Sequence, residues 1–332
     1  ALRQPRFGLF AMPFVLPATL LSKILFFLPL AYPVLINLTQ IALVLITILM
    51  IARLTGLEAR ERAFAILILT FAYPTLLFSL NLEQYVFAVF WLIAFLFLAG
   101  QRARGADLAF IGMTGSLLTS GIFLPFMTSG QRLSSRIRQT LLAIAMFFIV
   151  VVLLNRQYVF FTGFSYFKQL LGSYGGAKIS MLEKAQQFFA MLGGLFFRPE
   201  AQWTTFAGHP AYLLAPVTGF SWGGIAVLLL AVTGFVLNRR NRFAQFSFVF
   251  VLVSVALHAV IGWGAKENGM TLYAYYYLWA YVTLIYLGLE RLLSPLKQWR
   301  FFAYGVLCAA LLCINLGAII DLVRFGLTYY PA

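Results

Sequence analysis

Charge is scarce in this chain. Asp, Glu, Lys and Arg make up only 10% of its 332 residues, against roughly 25% in soluble domains whose surfaces must face water. That shortage excludes an ordinary soluble globule. Acid is scarcer still, with Asp+Glu at 9 against Lys+Arg at 24 and a net charge of +15. A basic excess of that size raises nucleic acid as a partner, but no segment offers a soluble basic surface, so no nucleic acid is expected. There are only two cysteines, Cys308 and Cys313. They lie in one apolar run at a spacing that puts them on different helix faces, which excludes a disulfide-stapled scaffold. No CxxC pair or Cys/His cluster is present, so a structural zinc site is not expected. Walker, GxGxxG, GxSxG, HExxH and haem signatures are also missing, and with them any sequence support for nucleotide-driven pumping or soluble hydrolase chemistry.

What remains is apolar. Hydrophobic residues reach 62%, and runs of about 18 or more recur along nearly the whole chain, the length that spans a bilayer. The expected fold is all-α: a polytopic transmembrane helical bundle with about 8–10 membrane-embedded segments, forming a single transmembrane domain over residues 1–332. The clearest spans are Tyr32–Ile51, Ala63–Leu80, Tyr85–Leu98, Thr140–Leu154, Leu213–Leu237, Phe243–Gly262, Leu272–Leu289 and Phe301–Ile320. Arginine clusters assign sides. Arg53, Arg60 and Arg62, Arg102 and Arg104, Arg132, Arg136 and Arg138, Arg239, Arg240 and Arg242, and Arg291, Lys297 and Arg300 all belong on the cytoplasmic side. The localisation that follows is an integral, multi-pass protein, read as one of a bacterial inner membrane, in contact with membrane lipids.

Three stretches fit this scheme less simply. Leu108–Met127 has arginines at both ends, so it either enters and leaves on one side, as two half-helices meeting near Gly115–Gly121, or crosses once with a basic end outside. Residues 7–30 contain Pro13, Pro17, Pro29 and Lys23. They read as a juxtamembrane helix lying in the outer interface, with a proline-kinked span as the alternative. Residues 155–212 form an extracytoplasmic loop whose stretch Ile179–Phe197 suits an amphipathic interfacial helix. The chain begins with Ala, without a signal-peptide pattern. It reads as the middle of a longer polypeptide or the start of a processed one.

With so few acids, each is weighed. Glu58, Glu61, Asp107 and Glu290 sit beside cytoplasmic arginines and read as solvated loop charges. Glu83, Glu183, Glu200, Glu267 and Asp321 fall outside, where a general base of an outer-face site must come from. Glu83 is the weak catalytic candidate, in a short turn between two spans; helix capping explains it equally well. His258 lies inside an apolar span near Ser254, where an ionisable residue is a functional candidate by default, although a neutral histidine bonding a neighbouring helix is the plainer account. His209 has no paired ligand, and no metal site is expected. Then comes a Gly-rich outer turn with Lys266, Glu267 and Asn268, feeding a helix that opens with four tyrosines and Trp279. An aromatic belt explains it. A face of Tyr273 and Tyr277, or of Tyr275 and Trp279, that stacks on a sugar or an isoprenoid chain explains it as well. Lys266 suits a phosphate, with Lys178, Lys184 and Arg198 adding to the same positive field.

The layout resembles the GT-C superfamily of integral-membrane glycosyltransferases that use polyprenyl-phosphate sugars. The resemblance rests on the stretch from Phe10-Ala-Met-Pro-Phe through Ile51, the turn Arg53-Leu-Thr-Gly-Leu-Glu-Ala-Arg-Glu-Arg, and Ala72-Tyr-Pro-Thr-Leu-Leu-Phe-Ser-Leu-Asn-Leu-Glu83. It continues in Leu257-His-Ala-Val-Ile-Gly-Trp-Gly, followed by Leu272-Tyr-Ala-Tyr-Tyr-Tyr-Leu-Trp. It implies transfer of a sugar from a lipid-phosphate donor at the extracytoplasmic face, with Lys266 and Arg198 as contacts to that polyprenyl-phosphate-linked sugar. The family's catalytic carboxylate lies in a first outer loop. Nothing here matches that loop, since no acidic residue precedes Glu58, so the resemblance carries over no catalytic residue. Dependence on a divalent cation stays open. Two other classes stay open too: a lipid or small-solute transporter or flippase, and a non-catalytic subunit with a membrane-protein partner.

Overall fold

The computed structural model describes residues 7–25, 27–28, 30–80, 84–101, 103, 105–116, 178–199, 201–206 and 209–329, with isolated positions between 134 and 176. The described contacts fall into two compact units, Ala1–Leu54 with Phe78–Phe167, and Thr55–Leu77 with Lys168–Ala332.

The first unit is built from α1 (Phe7–Ile24), α2 (Ala31–Leu54), α5 (Gln84–Gly100) and α6 (Ala106–Ser116). α5 sits at its centre. Nearly every side chain from Tyr85 to Leu96 is buried, because α5 packs on α2, on α6 and on α1. An all-round apolar sequence makes that possible, and it is the signature of a helix surrounded by other helices. Phe14 of α1 lies among Phe87, Phe90 and Trp91, with ring centroids 5.1–5.9 Å apart. Gly112 of α6 faces the same Trp91, where an added Cβ would stand 2.5 Å from the indole. The expected juxtamembrane segment 7–30 is thus a helix through Ile24. The expected span Thr140–Leu154 and the junction near Gly115–Gly121 lie largely outside the described residues, as does Glu83.

The second unit holds α3 (Ala59–Phe71), the start of α4 (Tyr73–Leu80), α7 (Met181–Gly193), α8 (Trp222–Leu237), α9 (Arg242–Ser254), α10 (Ala274–Leu293) and α11 (Trp299–Tyr329). α10 is its core, with Ala274 through Gly288 buried. It crosses α8 with backbone against backbone: a Cβ on Gly234 would collide with the Leu284 carbonyl, and one on Gly288 would stand 2.7 Å from Gly234 Cα. Glycine at both positions is what permits that approach, as small residues do in membrane helix pairs.

The helical membrane architecture is present. Three described helices are long and apolar enough to cross a bilayer, and α3 with α4 makes a fourth as a bent pair. Four details differ from the sequence reading. Ala63–Leu80 is no single straight span, because the chain turns by 60° at the break after Phe71; Pro74 has no N–H to continue the helical ladder there. The tail expected from Asp321 is helical to Tyr329, making α11 31 residues long, or about 46 Å against a hydrocarbon core of ~30 Å. The segment expected as the loop 155–212 leads into an antiparallel hairpin, β1 (Ala201–Phe206) with β2 (His209–Leu214), in register from Ala201 with Leu214 to Phe206 with His209, and the expected span Leu213–Leu237 is helical only from Trp222. An all-α expectation had no place for the hairpin. Finally, the tyrosines opening α10 form no belt at an interface. Tyr275, Tyr276, Tyr277, Trp279 and Tyr281 are at most 5% exposed, packed inside the unit.

Candidate functional site

α9 does not end cleanly. From Val255 to Val260 its winding loosens into a π-helix. The Ile261 N–H reaches back to the Ala256 carbonyl, and the Trp263 N–H to the Leu257 carbonyl. Gly262 and Gly264, at φ +80° and +79°, then turn the chain into a 3₁₀-helix over Lys266–Tyr273 that leads into α10. Both positive φ values call for glycine. Single π-turns are a device that re-aims one side chain out of helical register, often at functional sites. Here the re-aimed residue is His258, fully buried.

Its hydrogen bonds fix its state. Nδ1 lies 2.7 Å from the Trp263 carbonyl, and Nε2 lies 3.1 Å from the Tyr277 hydroxyl. A carbonyl only accepts, so Nδ1 carries the proton; in the neutral ring Nε2 then accepts from the phenol. One helical turn away, Ser254 donates to the Val251 carbonyl at 2.7 Å, which leaves Tyr281 to donate to Ser254 at 2.8 Å. Two tyrosines four residues apart on α10 thus pair with two residues four apart on α9. Tyr273, half-buried, lies tilted by 43° against the imidazole with ring centroids 5.4 Å apart. The arrangement holds a neutral phenol on a neutral imidazole next to a partly open aromatic ring, where a bound ring could stack.

α7 supplies a cation. Ser180 caps the helix by accepting from the Glu183 N–H at 3.2 Å. Lys184, one turn in, is 9% exposed. Its stem runs over two glycines, such that a Cβ on Gly176 or on Gly262 would come within 2.7 Å of its Cε. Its ammonium donates to the Val260 carbonyl at 3.5 Å, a long bond at the end of the π-turn. A cation at a helix C-terminus is favourably placed against the dipole. Gln187, one turn on, is 4% exposed and its Oε1 has no hydrogen-bond partner among the described residues.

Of the residues singled out by sequence, the structure therefore brings together His258, Tyr277, Tyr273 and Lys184. Lys266 and Glu267 belong to the 3₁₀-helix that precedes Tyr273, and their side chains lie outside the described set, as does the side chain of His209. Arg198 is engaged elsewhere: it pairs with Asp321 of α11 at 3.0 Å, both partly exposed. Glu83 and Glu200 are outside the described residues. Among the described residues no group of His, Cys, Asp and Glu is arranged to hold a metal ion.

Two features were not foreseen. Glu61 and Glu290, read as solvated loop charges, flank the Arg300 guanidinium at 2.7 and 2.9 Å, with side chains only 13% and 8% exposed. α3 packs on both α10 and α11; the Glu61–Arg300 contact spans 239 residues, a distance that no sequence spacing reveals. Asn315, in the middle of α11, is fully buried and donates to two backbone carbonyls. A lone asparagine in an apolar run was the available signal for it.

Comparison with protein-family models, curated proteins and solved structures finds no match to this chain.

Proposed function

We propose that this chain is the membrane-embedded body of a GT-C-like glycosyltransferase, using a sugar carried on a polyprenyl phosphate at the extracytoplasmic face of a bacterial inner membrane. The observation that carries the proposal is the cluster under the Gly262–Tyr273 turn. It combines a buried lysine with no carboxylate partner among the described residues, a phenol–imidazole pair and a half-open tyrosine. Such a set suits a substrate with a phosphate, a polyol and an apolar chain: the ammonium for the first, aromatic faces for the second, and helix surfaces for the third. Lys266, on the same turn, is a second cation for the phosphate. The general base is a group outside this cluster, with Glu83 and Glu267 as candidates.

The test is a titration of the protein in lipid nanodiscs with polyprenyl phosphate alone, read by intrinsic fluorescence. Saturable binding is expected, weakened at least tenfold in Lys184→Met and in Lys266→Ala. Absence of saturable binding, or unaltered affinity in both variants, removes the proposal. The transporter reading draws on the broken span at Phe71, since interrupted helices line substrate paths in transporters. Substrate flux across sealed vesicles, without product formation, would replace the transferase by that reading.

A further inference from the structure

One guanidinium serves two carboxylates. Arg300 Nη2 donates to Glu61 Oε1 at 2.7 Å and Nη1 to Glu290 Oε2 at 2.9 Å. With all three ionised the cluster carries one excess negative charge, on acidic side chains only 13% and 8% exposed. Charge held away from water without a counterion is costly, and a carboxyl relieves that cost by taking a proton. The two acids are not equivalent in this respect. Both oxygens of Glu61 are engaged, because Oε2 accepts from the Glu58 N–H at 3.3 Å. Glu290 Oε1 is buried with no hydrogen-bond partner among the described residues. The Tyr304 hydroxyl stands near the same carboxyl, buried and without a formed bond.

The other groups around the cluster do not supply a second counterion. Tyr286 of α10 donates its hydroxyl to the Glu61 carbonyl at 2.6 Å. Arg60 of α3 lies over the Phe301 ring, 4.1 Å from its centroid. Arg291, next to Glu290 on α10, is exposed on the wall of an open groove that Glu290 also lines. The turn between α8 and α9 brings Asn238 and Asn241 to that groove, while Arg239 and Arg240 are not in its lining. The one ion pair of Glu290 among the described residues is with Arg300. A metal ion does not fit instead, since no group of acids, histidines and cysteines among the described residues is arranged to hold one. We propose that Glu290 is a proton-binding site: Oε1 takes a proton from solvent through the groove and donates it in a hydrogen bond to the Tyr304 hydroxyl, leaving Arg300 to balance Glu61. The phenol oxygen is a competent acceptor for that proton. Electrostatics agrees in direction. Burial, with the Glu61 carboxylate adding to it, holds the Glu290 carboxyl above the ordinary range against the Arg300 guanidinium and the two phenols. The site lies just past the stretch of α10 read as membrane-spanning and does not depend on the transferase reading, so either can fail alone.

The experiment is infrared difference spectroscopy of the full chain, in a detergent free of carbonyl groups, stepped from alkaline to acidic pH. The carbonyl stretch of one protonated carboxyl is expected to appear above the ordinary carboxylate range and to shift in heavy water. It should be absent in Glu290→Gln. In Glu61→Gln it should persist but titrate at lower pH, because a repelling charge is gone; this variant decides the matter if Glu290→Gln does not fold. Tyr304→Phe should move the frequency of the band, through loss of its acceptor, without abolishing it. Thermal unfolding supplies a second readout. A native state that favours the neutral acid is stabilised at low pH and loses that contribution as pH rises through the native midpoint. That loss should be present in the wild-type chain and missing in Glu290→Gln. A band that survives Glu290→Gln, ignores Glu61→Gln or appears only in the ordinary carboxylate range overturns the proposal. Suppression of the band by sodium chloride at fixed pH would overturn it too, and make the site one for a metal cation.

Discussion

The side-chain amide of Asn315 donates to the backbone carbonyl of Phe71 at 2.8 Å, on the last residue of α3 before the chain breaks. The same nitrogen donates to the Phe196 carbonyl at 2.6 Å. The Thr75 N–H, which would serve Phe71 in an unbroken helix, bonds Ala72 instead. In a water-poor interior a carbonyl freed in this way must be satisfied by a neighbour. Asn315 does so for the ends of two elements at once, and a polar residue in the middle of α11 thereby becomes a structural requirement of the bend.

Asn315→Leu keeps the branched shape of the side chain and removes both N–H donors. Each orphaned carbonyl costs on the order of 1–3 kcal/mol, so the variant should lose about 2–4 kcal/mol in denaturant unfolding in micelles. A loss below about 0.5 kcal/mol would mean that the bend is held by packing alone.

A second test addresses the crossing of α8 and α10. Gly234 and Gly288 touch without any side chain between them, and a methyl group at either site has nowhere to go. Overpacking of this kind costs typically 1–3 kcal/mol. Gly288→Ala should fall at the upper end of that range and Gly234→Val beyond it. Gly305, with open space around it, serves as the control, and Gly305→Ala should be neutral or mildly stabilising. Similar losses at all three positions would show a general intolerance of α-carbon substitution and not a contact.

Much of this architecture was legible in the sequence, for a definite reason. A helix that can cross a bilayer has to be long and apolar, so the runs Tyr32–Ile51 and Phe301–Ile320 announce themselves as candidates. The residues that join helices do not. Glu61 looks like a loop charge because its partner Arg300 is far off in sequence, and Glu290 because nothing in the ten residues up to Arg300 says that the chain folds back on itself there. The tyrosines opening α10 look like an interfacial belt because composition alone does not say whether a face meets lipid or protein. His258 and Tyr277 were each noticed, but their pairing depends on a π-turn, and a loosened turn leaves no mark in residue spacing.

The arginine between two carboxylates yields a third prediction. Removing it leaves two shielded charges without a counterion, a change that costs about 3–5 kcal/mol for a buried pair. Arg300→Met should therefore unfold at clearly lower denaturant. Arg300→Met/Glu61→Gln/Glu290→Gln should recover most of the loss, since the charges are removed along with their partner. If the triple variant is no better than the single one, Arg300 acts by packing on Phe301, whose ring centroid lies 4.7 Å from the guanidinium carbon.

A fourth concerns Lys297, the one non-glycine residue with positive φ among the described residues, at φ 47° and ψ −114°. That backbone region is strained for any residue bearing a Cβ. Lys297→Gly should stabilise the chain by about 1 kcal/mol, net of the extra freedom glycine has when unfolded. Destabilisation would show that the exposed lysine makes a contact worth more than the strain.

The phenol–imidazole pair separates structure from function most directly. Tyr277→Phe removes one hydroxyl and leaves His258 Nε2 without its donor, at a cost of about 1–2 kcal/mol. His258→Leu strands both the Trp263 carbonyl and the Tyr277 hydroxyl and should cost more. In a double-mutant cycle the two changes should be coupled by about 1 kcal/mol, because the second has less left to break. Additive losses would mean that the bond contributes nothing. The same variants then bear on the site. If the pair only braces the π-turn, affinity for polyprenyl phosphate should follow stability across the series, and Ser254→Ala, which disturbs the neighbouring Tyr281 bond, should behave alike. If the pair faces substrate, Tyr277→Phe should weaken binding or turnover well beyond Ser254→Ala at equal stability. The two pairs lie one helical turn apart on the same helices, so Ser254 and Tyr281 are an internal reference for what bracing alone is worth.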